Sequence, residues 1–468
     1  MKRPASSPAP LRSSRAPRGY TMIEILMATL LTLILLFAVV SIFASISGSI
    51  NDSRATLEMT DRLRASAARM QEDLKHLTVT MLPPRRPEED EGYFEYMERL
   101  VGPGGVNIDT GLADSTVGDY DDILMFTTRS PKNPFIGRFG AGTIESHVAE
   151  VMWFVRGRTL YRRVLLVAPK CIRALDTDGN QYIDAGEWPG GGSFFMACDI
   201  SVHREQDASG TIHLKPNTLG DLTKPENRYA HQSGGFPFHP HRVNGWFQLG
   251  LPTLSESSSA GFTDWFNSGL PAVPLTARGT FDAWANPYPF NELDAEVGTI
   301  ETYNSTRVAE DVILTNVVGF DVKAWDPNAP VYSNGTIALM PGDPGYAAAM
   351  GGTPVSYGAY VDLNYASGTI DTPFAGPGQL SPMLSGVYDT WSFHYENDGV
   401  DQLGNGTLDT GTDGFDNDGN GVVDDAAEME APAPYPVPLR GIQIKIRAYE
   451  ADSRQVREVT VVQDFLPK

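Results

Sequence analysis

The residues Arg18-Gly19-Tyr20-Thr21-Met22-Ile23-Glu24 lead into a long apolar stretch, ILMATLLTLILLFAVVSIFASI, at positions 25–46. This stretch has 22 residues and no charged side chain, and about 20 apolar residues are enough for a helix to cross a bilayer. The preceding residues carry no acid and five bases: Lys2, Arg3, Arg12, Arg15 and Arg18. Because basic flanks stay on the cytoplasmic side, we expect a single-pass membrane helix with a cytoplasmic N-terminus.

The helical pattern continues past the apolar stretch. Apolar residues recur there at steps of three and four, which traces one face of a helix: Leu63, Ala67, Met70, Leu74 and Leu77. Pro83-Pro84 should end the helix, because proline lacks a backbone donor and restricts the residue before it. We therefore expect one helix of about 55 to 60 residues, with a transmembrane part at 20–46 and an amphipathic stem at 47–84.

Runs rich in β-branched and aromatic residues follow the helix and predict strands. They cover residues 122–129, 148–156, 159–168, 308–325 and 388–395. Two further runs, 439–449 and 456–465, flank a short turn and predict a hairpin. Consecutive hairpins build an antiparallel sheet, and the apolar face of the stem needs a cover. The predicted fold is therefore α+β, with a long N-terminal helix packed on an antiparallel β-sheet head.

The N-terminal motif resembles the prepilin signal of type IV pilins and type II secretion pseudopilins. In that family a basic leader ends in glycine, an apolar or aromatic residue begins the mature chain, and glutamate is its fifth residue. Gly19, Tyr20 and Glu24 match these positions. The resemblance implies that a prepilin peptidase removes the leader, residues 1–19, and that the new N-terminus at Tyr20 is methylated.

The same resemblance implies that Glu24 pairs with the N-terminal amine of a neighbouring subunit during assembly. A carboxylate in apolar surroundings needs such a partner. The alternative is a simple signal anchor, in which Glu24 is only an interfacial charge.

The order of the later elements resembles the J-type minor pseudopilins of type II secretion systems and the related W-type minor pilins. The resemblance lies in three segments: WFVRGRTLYRR, ILTNVVGFDVKAW and PVPLRGIQIKIRAYE. It implies a pilin-like fold with a β-rich extracytoplasmic head at residues 85–468. Regions at about 171–306 and 326–430, rich in Gly, Pro and Asn, are expected to be insertions into that head.

This resemblance implies a non-enzymatic structural subunit that assembles at the tip of a pseudopilus for protein export. The implied partners are the I- and K-type minor pseudopilins, the major pseudopilin, the prepilin peptidase and the inner membrane, with the head in the periplasm. A minor type IV pilin, acting in pilus assembly, adhesion or DNA uptake, is an alternative. A membrane-anchored secreted hydrolase is another, although the sequence has no G-x-S-x-G, H-E-x-x-H or G-x-x-x-x-G-K-[ST] motif.

The chain is strongly acidic. It has 36 basic and 58 acidic residues, a net charge of −22, and loss of the five leader bases leaves 31 against 58, or −27. We expect no nucleic-acid partner, because binding to phosphates needs clustered Lys and Arg. No Lys or Arg occurs between Lys323 and Arg440, and acidity concentrated in this way indicates cation binding or a solvated surface.

Two acidic loops have the ligand spacing of calcium sites. Loop 1, DTDGNQYIDAGE at residues 176–187, resembles an EF-hand loop, which wraps carboxylates and one carbonyl around a single ion. Gln181 occupies the sixth position, where the turn normally requires glycine. An acidic surface turn without a metal is the alternative. The expected ligands are Asp176, Asp178, Asn180, the carbonyl of Tyr182, Asp184 and Glu187.

Loop 2, DNDGNGVVDD at residues 416–425, has glycine at its sixth position. Its twelfth position is Ala427, and the next acid is Glu428, so Asp425 or Glu428 must supply the last ligand. Residues 396–430 hold eleven acids and no base, a density that repels itself without cations. Calcium is therefore the expected cofactor. The expected ligands are Asp416, Asp418, Asn420, the carbonyl of Val422, Asp424, Asp425 and Glu428.

The two cysteines of the chain are Cys171 and Cys198. Beyond the membrane the compartment is oxidising, so a disulfide between them is expected. It would close a loop of about 27 residues and stabilise the fold by about 3 kcal/mol on the chain-entropy model. Two buried thiols are the alternative.

Overall fold

The structure is a computed structural model of the 468-residue chain. The chain divides into two compact units, Met1–Glu58 and Met59–Lys468. The structure describes residues 19–83, 85–98, 122–156, 159–184, 187, 194–206, 212–224, 227–229, 242–243, 246–247, 311–365, 372–375, 386–390, 406, 410, 415–423, 428, 435, 437–451 and 453–465.

One long helix, α1, runs from Met22 to Lys75 and contributes residues to both units. Residues 25–46 lie within it, and all of their side chains are exposed. Leucine, alanine and methionine, which favour helix, make up much of this part. Among the described residues, α1 is the helix that is long and apolar enough to cross a membrane. It is therefore a candidate single-pass membrane anchor.

The last turns of α1 belong to the core of the second unit. Leu63, Ala67, Met70 and Leu74 are buried there together with Met59. Their spacing of three and four residues is the one that the sequence predicted for a packed face. Leucine and methionine side chains that leave water in this way each stabilise the fold by about 1.5 to 3 kcal/mol.

The helix ends at Lys75, well before Pro83-Pro84. At this point the N–H of Arg129 donates to the carbonyl of His76 at 2.9 Å, and the hydroxyl of Thr128 donates to the same carbonyl at 3.1 Å. These bonds satisfy a carbonyl that the helix end leaves without an intrahelical partner. The prediction of a stem helix to residue 84 was wrong because the chain switches to extended backbone beside the sheet before it reaches the prolines.

The described residues form short strands in the first part of the head and longer ones near the end of the chain. The strands are β1 (Phe94–Met97), β2 (Ile123–Arg129), β3 (Phe135–Phe139), β4 (Gly142–Ser146), β5 (Val148–Arg156), β6 (Thr159–Leu166), β7 (Val202–Gln206), β8 (Ile212–Pro216), β9 (Arg242–Val243), β10 (Trp246–Phe247), β11 (Asp311–Thr315), β12 (Val317–Ser333), β13 (Ala338–Leu339), β14 (Ser356–Val361), β15 (Val387–Asp389), β16 (Gly441–Glu450) and β17 (Gln455–Asp464). The short helices are α2 (Ile172–Leu175), α3 (Phe194–Ala197), α4 (Leu219–Thr223) and α5 (Tyr346–Ala349), with 3-10 turns at Pro87–Glu89 and Pro169–Cys171.

Two antiparallel sheets hold most of these strands. Sheet 1 has the order β11-β6-β5-β2-β1-β15, and sheet 2 has the order β13-β12-β16-β17 with β14 paired to β12. Three two-stranded pairs, β3–β4, β7–β8 and β9–β10, stand apart from them. The fold is therefore α+β, as the sequence predicted, with a long N-terminal helix and antiparallel sheets.

The strand predictions agree with these sheets at most positions. The final hairpin pairs β16 with β17 from Gly441 opposite Asp464 to Glu450 opposite Gln455. The run at 308–325 forms two strands rather than one, because Asn316 between them has a left-handed backbone with φ of 57°. Residues 308–310 and 391–395, which the sequence also assigned to strands, lie outside the described residues.

A buried ion pair fixes the stem to sheet 1. Asp73 on α1 accepts hydrogen bonds from Nε and Nη2 of Arg162 at 2.6 and 2.8 Å, and from the indole N–H of Trp153 at 3.0 Å. Trp153 and Arg162 lie opposite each other on β5 and β6, and all three residues are buried. Loss of one partner from such a pair costs about 3 to 5 kcal/mol, because the other charge stays buried. The pair therefore selects one rotation of the stem on the sheet.

A second buried network attaches residues 227–229 to sheet 1. Arg228 donates to both carboxylate oxygens of Asp389 on β15, at 2.6 and 3.1 Å, and to Glu95 on β1 at 2.6 Å. Its guanidinium also lies 4.0 Å from the ring centroid of Tyr93. This part of the 171–306 region is thus held by specific charge pairs, and it packs as part of the head.

Cys171 and Cys198 are thiols in the structure, and the expected disulfide between them is not formed. Both belong to one buried apolar cluster. Burial, and secondarily the nearby Cys198, raises the pKa of the Cys171 thiol to about 12.

Candidate metal centres and the N-terminal motif

Loop 1 follows α2 and folds around the side chains of its own first residues. Asp176 accepts hydrogen bonds from the N–H of Gly179 at 2.6 Å and from the N–H of Gln181 at 2.9 Å. Asp178 accepts from the N–H of Asn180 at 3.0 Å. Short Asp and Asn side chains favour such bonds to the backbone two or three residues ahead. The sequence of loop 1 therefore supplies a turn that directs its own carboxylates toward the inside of the loop.

The sixth position of loop 1 has the backbone that glycine usually provides. Gln181 has φ of +69°, in the left-handed region, where a residue with a β-carbon costs about 1 to 2 kcal/mol. The N–H of Gln181 bonds to Asp176, which holds this conformation. Gln181, which replaces the usual glycine, thus adopts a strained backbone, and the turn keeps its hydrogen bonds.

Glu187 closes loop 1 back onto its start. Its Oε1 accepts from the N–H and the hydroxyl of Thr177 at 2.9 and 2.7 Å, and its Oε2 accepts from the N–H of Asp184 at 2.7 Å. These bonds lower the pKa of Glu187, and the bond from the Thr177 hydroxyl has the largest effect. Carboxylate oxygens of Asp176, Asp178 and Glu187 all lie within 4.8 Å of one another. Three carboxylates at this distance repel one another unless a cation or protons compensate.

The remaining expected ligands of loop 1 have other contacts. The carboxylate of Asp184 accepts from the side-chain amide of Asn180 at 2.9 Å and contacts Nδ1 of His213. Asn180 also accepts from the N–H of Tyr182 at 2.8 Å. The ninth position of an EF-hand loop often reaches its ion through water, so the place of Asp184 beside the three-carboxylate group is compatible with that role.

Loop 1 is held by strand β8 and by a buried apolar cluster. Ile183, at the eighth position, is buried and bridges β8: its N–H donates to the carbonyl of Leu214 at 2.8 Å, and the N–H of Leu214 donates back at 3.2 Å. The surrounding apolar cluster includes Leu175, Cys198 and Ile200. The loop is therefore positioned by side chains on both sides of it.

Loop 2 repeats the turn of loop 1. Asp416 accepts from the N–H of Gly419 at 2.7 Å and from the N–H of Gly421 at 2.8 Å, and Asp418 accepts from the N–H of Asn420 at 2.9 Å. The two glycines have φ of +75° and +89°, which glycine adopts without a steric penalty. The first, third, fourth, fifth and sixth positions of both loops thus make corresponding bonds.

Glu428 closes loop 2, although it is one residue beyond the usual position. Its Oε1 accepts from the N–H of Asp418 at 3.0 Å and contacts the N–H of Asn417. Carboxylate oxygens of Asp416, Asp418 and Glu428 lie within 4.8 Å of one another. Of the two residues that the sequence offered for the last ligand, Glu428 lies with the other two carboxylates, and Asp425 lies outside the described residues. The expected ligand Asp424 also lies outside them.

At the other end of the chain, the prepilin-like residues form a helix cap. Glu24 is the third residue of α1, and its carboxylate accepts from the N–H and the hydroxyl of Thr21, both at 3.0 Å. The N–H of Glu24 donates back to the Thr21 hydroxyl at 3.3 Å. This reciprocal pair is a capping box. Gly19 and the exposed Tyr20 precede it, and residues 1–18, the rest of the expected leader, lie outside the described residues.

Two features of these sites were not identified in the sequence. Thr21 was not recognised as the cap, although T-x-x-E before an apolar run is a known signature of a helix N-terminus. The bridge between Ile183 and Leu214 was missed as well, because the two residues are far apart in sequence and no local pattern links them.

Compared with known proteins, the chain matches no family model, no curated protein sequence and no solved structure.

Proposed function

We propose that this protein is a structural subunit of a type II secretion system, a J-type minor pseudopilin with a pilin-like fold that assembles at the tip of the pseudopilus. The observation that carries the proposal is the N-terminal motif: Gly19, Tyr20 and Glu24 stand directly before and within the first turn of an apolar helix that is long enough to cross a membrane. The antiparallel sheets after the helix agree with a pilin-like head.

In this proposal the leader is cut after Gly19, the amine of Tyr20 is methylated, and the helix stays in the inner membrane with the head in the periplasm. Glu24 then exchanges its bonds to Thr21 for an ion pair with the N-terminal amine of a neighbouring subunit. The cap accounts for how the carboxylate is stabilised in a single chain, since an acid inside the bilayer costs about 2.5 to 3.5 kcal/mol. Assembly with the I- and K-type subunits and the major pseudopilin follows from the same interaction.

We also propose that both acidic loops bind calcium and thereby hold the head in one conformation. The support is the three-carboxylate group in each loop and the shared turn that directs these groups inward. Oxygen ligands in a flexible arrangement of six to eight suit calcium better than magnesium, which demands a smaller octahedral shell.

Mass spectrometry of the protein isolated from membranes tests the central proposal. The expected result is a mature chain that begins with N-methylated Tyr20, and Gly19→Val should leave the leader attached. An intact N-terminus, or a cut after Ala44 as in a secretory signal, would remove the basis for a pilin-type subunit.

Co-purification from the same membranes separates secretion from pilus assembly. We expect other minor pseudopilins to accompany the wild-type chain and to be lost with Glu24→Gln, while the control Glu58→Gln, also on α1, retains them. Recovery of pilus components with a retraction ATPase would instead indicate a minor type IV pilin.

Calorimetric titration of the full-length protein in detergent tests the calcium proposal. Binding should occur and should weaken in Asp178→Ala and in Asp418→Ala. The absence of a binding signal would identify both loops as acidic surface turns.

A further inference from the structure

The point where α1 ends holds a cavity of about 300 Å³ that the proposed function does not use. Three basic side chains line it: Lys75 and His76 from the end of α1, and Arg129 from the end of β2. Asp90 is the acidic residue in the lining, and its Oδ1 already accepts from the N–H of Gly220 at 2.8 Å. We refer to Lys75, His76, Arg129 and the cavity between them as the basic pocket.

Lys75 and Arg129 carry the positive charges of the basic pocket. Within the described part of the chain, no carboxylate forms an ion pair with Lys75 or Arg129, and both side chains are exposed. His76 is 3.7 Å from Glu72, one turn earlier on α1. In a chain with 58 acidic and 36 basic residues, a pocket lined by three bases and one acid has the opposite balance of basic and acidic residues from the chain as a whole.

Capping of the helix end does not account for these side chains. Basic residues near a helix C-terminus often bond to the last carbonyls, but here other groups already occupy two of them. The hydroxyl of Thr128 donates to the carbonyl of Asp73 at 2.8 Å, and the N–H of Arg129 donates to the carbonyl of His76 at 2.9 Å. The charges of Lys75 and Arg129 are therefore available to a ligand.

We propose that the basic pocket binds carboxylate side chains of an acidic peptide segment from a partner protein. Arginine and lysine form charge-assisted bonds with carboxylates, and arginine does so with two parallel bonds. Leu77 and Leu219 in the wall suit the methylene groups of a glutamate side chain. The helix C-terminus carries a partial negative charge, which disfavours a doubly charged phosphate more than a carboxylate.

This proposal is independent of the pseudopilin assignment, because it depends only on the pocket. It also predicts a partner whose charge resembles that of the chain itself. Long-range repulsion from a chain of net charge −22 opposes the approach of such a peptide. The attraction that binds it must therefore come from short-range contacts within the pocket.

Fluorescence anisotropy with a fluorescein-labelled hexaglutamate peptide tests the proposal on the full-length protein in neutral detergent. EGTA is present throughout, so that calcium cannot bridge the peptide to the acidic loops. Hexaglutamate should bind, and hexaglutamine should not. Lys75→Gln and Arg129→Gln should each weaken it by about tenfold, the loss expected for one hydrogen bond to a charged group.

Arg173→Gln is the matched control, because Arg173 is exposed on α2, outside the pocket lining, and its loss changes the net charge equally. Its binding should stay within about twofold of wild type. Equal losses in the control and the pocket variants, or equal binding of hexaglutamine, would overturn the proposal. So would complete displacement of hexaglutamate by an equal concentration of inorganic phosphate, which would assign the pocket to phosphate. The wild-type measurement does not depend on the folding of any variant. If the wild-type protein fails to bind hexaglutamate, the proposal is overturned.

Discussion

Loop 1 and loop 2 make corresponding bonds to their own backbones and differ in what surrounds them. Loop 1 rests on β8 through Ile183, which is 1 % exposed. The matching residue of loop 2, Val423, is 51 % exposed, and its neighbour Val422 is 55 % exposed. Loop 2 has glycine where loop 1 has a strained glutamine. Loop 1 therefore has the better support from the rest of the fold, and loop 2 has the less strained turn.

The comparison shows that the turn and the scaffold are separate requirements. The turn needs Asp and Asn at fixed offsets and a left-handed residue at the sixth position, which is Gln in loop 1 and Gly in loop 2, because each bond is made to a residue two to five positions away. The scaffold needs an apolar partner from another element. Matched substitutions in the two loops can measure these contributions separately.

The largest effect is expected for the scaffold. Ile183→Ala should destabilise the head by about 2 to 5 kcal/mol, because it leaves a cavity in a buried cluster, whereas Val423→Ala should change stability by less than about 0.5 kcal/mol. Urea unfolding of the full-length protein in detergent measures both. Similar values for the two variants would mean that the loops are supported alike.

Removal of calcium should have the next largest effect on each single loop. At a free calcium concentration of 100 times the dissociation constant, each occupied site adds about 2.7 kcal/mol to the stability of the folded state. EGTA should therefore lower the melting temperature, and magnesium at the same concentration should restore less of it than calcium does. An unchanged melting curve with EGTA would contradict calcium binding at both loops.

The closing glutamates should follow. Glu187→Gln and Glu428→Gln should each cost about 2 kcal/mol of calcium binding, or about thirtyfold in affinity, at their own loop only. Titration calorimetry of both variants gives the two losses. If Asp425→Asn weakens loop 2 more than Glu428→Gln does, Asp425 is the closing ligand and the two loops end differently.

The smallest effect is expected at the sixth position. Gln181→Gly removes left-handed strain of about 1 to 2 kcal/mol but adds flexibility to the unfolded chain. The free energy of calcium binding at loop 1 should therefore improve by no more than about 1 kcal/mol. Gly421→Gln should weaken loop 2 by a similar amount. Calcium affinities of the exchanged pair check this, and a weaker loop 1 after Gln181→Gly would show that its glutamine makes a stabilising contact.

Local patterns predicted those parts of the molecule whose interactions are local. The buried face of the stem followed from a spacing of three and four, and the hairpin of β16 and β17 followed from strong alternation around a turn. The prediction of the helix end failed because the deciding bonds come from Thr128 and Arg129, which are far from Lys75 in the chain. The split of one predicted strand at Asn316 was also missed, since asparagine adopts left-handed backbone only in some contexts.

The sequence by itself determined the apolar helix, the basic residues before it and the order of acidic and amide residues in both loops, because composition and residue spacing act over a few neighbouring positions. The tertiary structure alone decided that Glu428 lies beside Asp416 and Asp418, that Asp73 meets Arg162 and Trp153, and that three bases line one cavity. These arrangements join residues from separate elements, and their energies depend on distances and burial that exist only after the chain has folded. The acidic loops show both levels, since the chain encodes the turn and the fold supplies its support.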